Sequence, residues 1–498
     1  MADISGENFV LISAILIFMS VLAGKVAYRY GAPALLLFLG VGILFGYKFI
    51  DFDSVELAQF VGMIALCIIL FTGGMETKFS EIRPILSPGI VLATVGVLLT
   101  ALIVAVFVYF ITPWLGVAMS FPLALLLAAT MSSTDSASVF SILRSKSCGL
   151  KQNLRPLLEM ESGSNDPVAY MLTILLVGVV SHSDGAMSIG DGAFMFIIEM
   201  GVGLLVGYLI GRFTVWTINH INISNAALYP VLLLAFAFFA FSFASLLQGN
   251  GYLSVYIAGL IVGNHKLEHK QAMTNFFDGF TWLLQIVMFL TLGLLINLDE
   301  LLRPEVLLLG GLVGTFLIFV ARPAAVLLCL SPFRKFTTKA RLYVSWVGLR
   351  GAVPIVFATY PMLAEVENAN LLFNVVYLVT ILSLVIQGTT VSSFANWLGL
   401  AYAEKASSFG EHKHTQMKSA LTEVAVNEMM LERGCLLSNI SLPENTVVMM
   451  VCRDGDYFVP TGKSSLLSGD KLLVISDRNE ELQSTYKEMG IDDVMKLT

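Results

Sequence analysis

Charge is what this chain lacks: Asp, Glu, Lys and Arg make up 13% of its 498 residues, against 56% hydrophobic residues and a mean hydropathy of +0.81. So little charge cannot clothe a water-soluble fold, and for most of the chain composition excludes nearly every class except a polytopic membrane protein. Cysteine is also scarce. Cys67, Cys148, Cys329, Cys435 and Cys452 show neither CxxC nor Cys/His spacing, which argues against a disulfide framework or a zinc site. Residues 1–8 lack the basic start and small-residue cleavage site of a signal peptide, so the first apolar run reads as a retained span. No strand followed by GxGxxG and a helix is present, so no NAD-type cofactor is called for. No TVGYG-like loop marks a channel filter. The net charge of −7 says little in a membrane protein, and nucleic acid is excluded as a partner.

What is present is a series of apolar runs of near-spanning length, at about residues 8–28, 33–49, 55–74, 88–112, 116–143, 157–180, 190–212, 225–247, 251–265, 274–297, 304–330, 341–364 and 370–399. They predict about thirteen transmembrane helices, with 251–265 the weakest. Alternate loops carry the basic residues, for example Arg144, Lys146, Lys151 and Arg155, then Arg334, Lys335, Lys339 and Arg341, whereas the opposite loops carry only Lys48 and Arg303. The positive-inside rule then puts the N-terminus outside and the C-terminus in the cytoplasm, as an odd number of spans requires.

Three polar stretches interrupt this apolar pattern. Within 156–173 lies Glu161-Ser162-Gly163-Ser164-Asn165-Asp166-Pro167, which leads straight into apolar residues 168–180. A charged side chain at membrane depth costs about 3 kcal/mol or more and is by default an ion or proton site. On a helix, Ser162 and Asp166 share one face, while Glu161 and Asn165 share another about 100° round the axis. The fifth span contains Met131-Ser132-Ser133-Thr134-Asp135-Ser136 and the twelfth Gly348-Leu349-Arg350-Gly351-Ala352-Val353-Pro354, both helix-weakening and both charged. With spans one to six and eight to thirteen taken as halves, each break is fifth in its half and the two run in opposite directions. That is the pattern of an inverted-repeat secondary transporter with a midplane site.

Thr134, Asp135, Ser162, Asn165, Asp166 and Arg350 therefore compose the candidate site. Carboxylate, hydroxyl and carbonyl oxygens suit a small hard cation, a transported monovalent ion rather than a resident metal. Proton and cation would then be mutually exclusive ligands. A regulated cation channel, an intramembrane aspartyl protease using Asp135 and Asp166 as a dyad and a purely sensing membrane protein are the other classes weighed. A dyad leaves Asn165, Ser162 and Arg350 idle. Glu199, Asp278 and Arg322 receive no role, and the six histidines fall in loops or the tail, where solvated side chains are the better expectation.

Through Thr134-Asp135, the 161–167 motif and Gly348-Leu349-Arg350-Gly351-Ala352, residues 8–400 resemble the bacterial sodium or potassium/proton antiporters of the monovalent cation/proton antiporter superfamily, in its NhaP-like branch. The resemblance implies two crossing broken helices, Asp166 as the carboxylate that alternately binds cation and proton, and Asp135, Ser162 and the Thr134 backbone completing the shell. It implies electroneutral exchange marked by Asn165, a buried Glu161–Arg350 pair, a homodimer, and a bacterial inner membrane. No catalysis and no cofactor are implied.

Beyond residue 402 the composition turns polar. Residues 403–433 read as a linker, helical over 411–433 from the spacing of Met417, Leu421, Val424 and Met430 or Leu431. Residues 434–498 read as a small α+β domain with strands at 447–452, 457–459 and 471–475, turns at Asp454-Gly455-Asp456 and Gly469-Asp470, and a final helix near 480–489. Through Leu442-Pro443-Glu444-Asn445-Thr446, Val459-Pro460-Thr461-Gly462 and Leu466-Leu467-Ser468-Gly469-Asp470 this part resembles the C-terminal ligand-binding half of RCK (RCK-C) modules. That implies regulation by a small ligand such as a nucleotide, and a tilt towards K⁺.

Overall fold

The computed structural model describes residues 6–30, 33–50, 52–146, 148–181, 189–403, 420–431, 434–440, 446–453, 455–476 and 495–496. The chain divides into two units, Met1–Glu404 and Lys405–Thr498.

The first unit is helical: α1 (Gly6–Tyr30), α2 (Ala34–Lys48), α3 (Val55–Glu76), α4 (Phe79–Leu115), α5 (Phe121–Thr130), α6 (Ser136–Ser145), α7 (Leu154–Ser181), α8 (Ile189–His220), α9 (Leu228–Leu246), α10 (Gly251–Gly263), α11 (Lys270–Leu295), α12 (Pro304–Leu330), α13 (Thr338–Trp346), α14 (Ala352–Leu363) and α15 (Ala369–Trp397). Among the described residues nine helices are long and apolar enough to cross a membrane. With α2, α10 and the two interrupted pairs α5/α6 and α13/α14, the path makes the thirteen passages that the sequence predicts.

The weakest predicted span, α10, is a regular helix held by backbone-to-backbone approach. A Cβ on Gly259 would lie 2.3 Å from the Phe71 carbonyl oxygen, and one on Gly263 2.1 Å from that of Met75, so α3 packs against it only because both residues are glycine. Asn250 caps its start by accepting from Leu253 N at 3.0 Å.

Both predicted breaks are present. α5 stops where the Thr130 and Ser132 hydroxyls bond back to Leu127 O and Ala129 O, at 2.8 and 2.7 Å, and α6 restarts with Asp135 as its N-cap. α13 and α14 are separated by residues 347–351, with Pro354 in the first turn of α14, where a missing N–H costs little. The extended segments meet: Asp135 N donates to Leu349 O at 2.7 Å. A further mark of the repeat is that α4 and α12, each fourth in its half, both contain a five-residue π turn, Leu92–Gly96 and Leu317–Ala321.

In α7, Pro167 lies inside the helix, which leaves Gly163 O without its usual intrahelical donor, while Pro167 O accepts from Asn250 Nδ2 at 2.9 Å. Two short strands close the unit. β1 (Cys148–Leu150), in the loop between α6 and α7, pairs antiparallel with β2 (Ala401–Ala403), which follows α15.

The second unit holds β3 (Ala420–Ala425), β4 (Thr446–Arg453), β5 (Asp456–Phe458), β6 (Lys471–Ser476) and β7 (Met495–Lys496), an antiparallel sheet in the order β5-β4-β6-β3-β7. The three predicted strands are there. The predicted helix over 411–433 is not: 420–425 is β3, and a 3₁₀ turn occupies Met429–Leu431. The spacing of Leu421 and Val424 imitated a helical face, but Val424 and Val426 are buried with exposed Ala425 between them, the period of a strand. Residues 404–419 of the linker and the final helix at 480–489 lie outside the described residues.

Candidate functional site

The site is built where the first break passes α7. Asp135, half-buried, receives Ser138 N at 3.1 Å and the Ser138 hydroxyl, so the cap that restarts α6 also orients its carboxylate. Asp166, 5% exposed, accepts from the Ser133 hydroxyl. Asn165 Nδ2 donates to Thr134 Oγ1 at 2.6 Å, and the Ser162 hydroxyl donates to Thr134 O at 2.7 Å while accepting from Ser136 N at 3.0 Å. α7 thus stitches the broken segment through Ser162, Asn165 and Asp166, and the five candidate ligands converge. Asn165 Oδ1 is buried without a hydrogen-bond partner among the described residues, an oxygen free to meet a cation.

Asp135, Asp166, Thr134 and Ser162 line a cavity of about 130 Å³, with room for an ion and several waters. Glu76, Phe140, Arg144 and Glu159 are shared with a wider vestibule of about 730 Å³, which extends along Lys78, Arg155 and Tyr402 on the face of the basic loops. The path from Asp166 therefore leads to that face.

The second break supports the first from behind. Gly351 is required because a Cβ there would lie against Asp135 Oδ2. Gly348 is required because its Cβ would lie 2.7 Å from Arg322 Nε. Ser383 of α15 accepts from Arg350 N at 2.8 Å, as Ser162 accepts from Ser136 N at the first break, and Gln387 reaches Trp346 O at 2.7 Å.

One expectation is corrected. Glu161 is paired with Arg322, not Arg350: Arg322 Nη2 lies 2.5 Å from Glu161 Oε1, both side chains under 5% exposed. Arg322 is the first residue after the π turn in α12, and the space left by Gly348 admits its guanidinium. Arg350, 1% exposed, turns back on its own segment and donates from Nη1 to Gly348 O at 3.0 Å. The resemblance implied Arg350, which stands in the second break, and left Arg322 without a role. Sequence reading also missed Ser133 and Ser138, whose only signal is their place in or beside the first break, and Ser383 and Gln387, polar residues inside the last span. Glu76 was missed because it falls at the end of an apolar span. Glu199 stands apart from the site, its O accepting from Asn250 N at 2.9 Å, while Asp278 lines, with His265 and Lys270, a third cavity that shares Glu76 and Lys78 with the vestibule.

Over 492 residues the chain is 36% identical to a protein of Shewanella sp. (strain ANA-3) named K(+)/H(+) antiporter NhaP2, covering 97% of this chain and 84% of that one. It is 29% identical over 325 residues to the Na(+)/H(+) antiporter NhaH of Halobacillus aidingensis, covering 62% of this chain and 76% of that one. Its fold matches the sodium proton antiporter MjNhaP1 from Methanocaldococcus jannaschii with a TM-score of 0.66 at 22% identity, over 78% of this chain and 99% of that one. A family model described as "Sodium/hydrogen exchanger, transmembrane" matches residues 13–397, which include both interrupted helices and the α7 motif. With the crossed breaks, the buried carboxylates and their path to the basic face, this match is the conclusion: the chain belongs to the sodium/hydrogen exchanger family.

Proposed function

We propose that this protein is a secondary active transporter that exchanges K⁺ or Na⁺ for H⁺, one for one, by alternating access, with cation and proton competing at Asp166. The observation that carries the reading is the placing of two carboxylates, Asp135 and Asp166, in one cavity with Thr134 and Ser162. Glu161, by contrast, is already matched by Arg322 in a buried ion pair. A charge on Asp166, 5% exposed, is neutralised by one proton or by one monovalent cation. An uncompensated charge at membrane depth is costly, so the site changes sides when loaded with either ligand and not when empty. Asp135, Ser162, Thr134 and Asn165 supply oxygens around the cation, and Glu161–Arg322 holds α7 to α12.

The K(+)/H(+) relative favours potassium, and the Na(+)/H(+) relative keeps sodium in view. The basic loops support a cytoplasmic C-terminus, with the vestibule opening to the cytoplasm, and the family resemblance supports a bacterial inner membrane. The family resemblance supports a homodimer, and the turn motifs of the tail support an RCK-C-like regulatory domain for a small ligand such as a nucleotide. The reading is of transport rather than enzymatic catalysis.

The test is dequenching of a pH dye in proteoliposomes on adding KCl, NaCl or choline chloride, for wild type and Asp166→Asn. The expected result is that K⁺ or Na⁺ collapses the pH gradient, choline does not, and Asp166→Asn is silent. A variant that still exchanges at the wild-type rate would remove Asp166 from the mechanism.

A further inference from the structure

The β1–β2 ladder joins parts of the membrane unit that the transport reading alone leaves unrelated. β1 lies in the only covalent connection between α6, which starts at Asp135, and α7, which carries Asp166. β2 is the last element before residues 405–498. The register sets Cys148 opposite Ala403, Gly149 opposite Tyr402 and Leu150 opposite Ala401. Lys151 extends the grip, its backbone N donating to Leu400 O at 3.0 Å and its Nζ to Gly399 O at 3.2 Å. The Tyr402 ring lies flush on Gly149, where a Cβ would come within 2.4 Å of it. Tyr402, with Cys148, Gly149 and Leu150, also forms a wall of the vestibule that leads to Asp166. Three residue pairs make a short ladder whose strength falls well below that of the helix packing around it, so it is the part of the wall that opens at least cost.

We propose that β2 is a strap by which the C-terminal domain acts on transport: Tyr402 is a positioning residue that forms a movable wall of the vestibule, and displacement of β2 shifts the α6–α7 loop and the ion path together. This rests on the cation-exchange reading for its effect on flux, but its geometry is independent of which cation is carried.

Directly opposed residues of an antiparallel pair have Cα atoms about 4.5–5.5 Å apart, within disulfide range. Ala403→Cys, in a full-length chain with Cys435→Ser and Cys452→Ser, therefore locks the strap to native Cys148 on oxidation. The expected result is that the cross-linked protein exchanges cation for proton at least fivefold more slowly than its reduced form, with recovery on adding dithiothreitol. Equal rates in a fully cross-linked sample would overturn the moving wall. The reduced form of the same sample controls for folding.

A second measurement needs no transport. Six Gly/Ser residues inserted after Glu404 slacken the link to the tail, and maleimide labelling of Cys148 is then compared with that of the uninserted chain. At least a threefold change in labelling rate is expected, and identical rates would overturn the tail's use of the strap. If the wild type moves no cation at all, the exchange reading fails while the labelling still decides the strap.

Discussion

Glu161 shows how a single residue fixes the architecture of the site. Its carboxylate and the Arg322 guanidinium are both almost fully removed from solvent, so neither is stable alone. Truncating one partner of such a pair leaves an uncompensated buried charge, at a cost of about 3–5 kcal/mol. Arg322→Ala should therefore lower the thermal midpoint of the detergent-solubilised protein sharply, and Arg322→Ala with Glu161→Gln should recover much of the loss. Arg350→Ala should leave the Glu161–Arg322 contact in place. Fluorescence-detected size exclusion after heating measures all three. If the double variant is as unstable as the sum of the single ones, Glu161 and Arg322 are not energetically coupled. The prediction differs from what the sequence alone would have made, which was to strand Glu161 by removing Arg350.

At the scale of elements, in each broken helix a backbone N–H of the break donates to a serine of the following span: Ser136 N to Ser162 Oγ at the first break, and Arg350 N to Ser383 Oγ at the second. Only the first serine also lines the ion cavity. Ser162→Ala should raise the cation concentration for half-maximal exchange and lower stability, whereas Ser383→Ala should cost about 1–3 kcal/mol of stability and leave cation affinity unchanged. Equal affinity changes in both variants would argue against Ser162 as a ligand. In the second unit, Asp470, 2% exposed, is held between β4 and β6 by Arg453, whose Nε and Nη2 donate at 2.8 and 2.6 Å, and by Leu467 N at 2.9 Å. These bonds, Arg453 foremost, hold its carboxyl below the usual carboxylate range. A depressed folded pKa adds stability that is fully present above the unfolded value of about 3.9 and is lost as pH falls through the folded value. Urea unfolding of the tail strands in the full chain, followed by hydrogen exchange, should thus be flat from pH 8 to 5 and weaken below about pH 4. Asp470→Asn should cost on the order of 2 kcal/mol at pH 7 and flatten that acid limb. An unchanged limb would locate the acid sensitivity elsewhere.

For the whole molecule, the thirteen passages, both breaks and the convergence of Thr134, Asp135, Ser162, Asn165 and Asp166 were legible in the sequence, because spanning length and polar residues at membrane depth leave few alternatives. The partner of Glu161 was not legible, since it depends on a π turn and a glycine 26 residues apart in sequence, Arg322 and Gly348 meeting only in three dimensions. β3 was misread because a short segment of mixed residues fits either period. The correct partner matters for the whole molecule because it gives Glu161 its own counter-charge and leaves Asp166 to the exchanged ions. Exchange of one monovalent cation for one proton then moves no net charge. A diffusion potential of 100 mV, set with thiocyanate so that no substrate cation is used, should leave the initial rate in proteoliposomes within twofold of its value at zero potential. Were one net charge carried per cycle, the same potential would contribute about 2.3 kcal/mol, enough to shift the transport equilibrium roughly 50-fold. A rate that climbs steeply with potential would mean that the site changes sides with a charge unbalanced, and that a second proton or cation must be sought beyond Asp166.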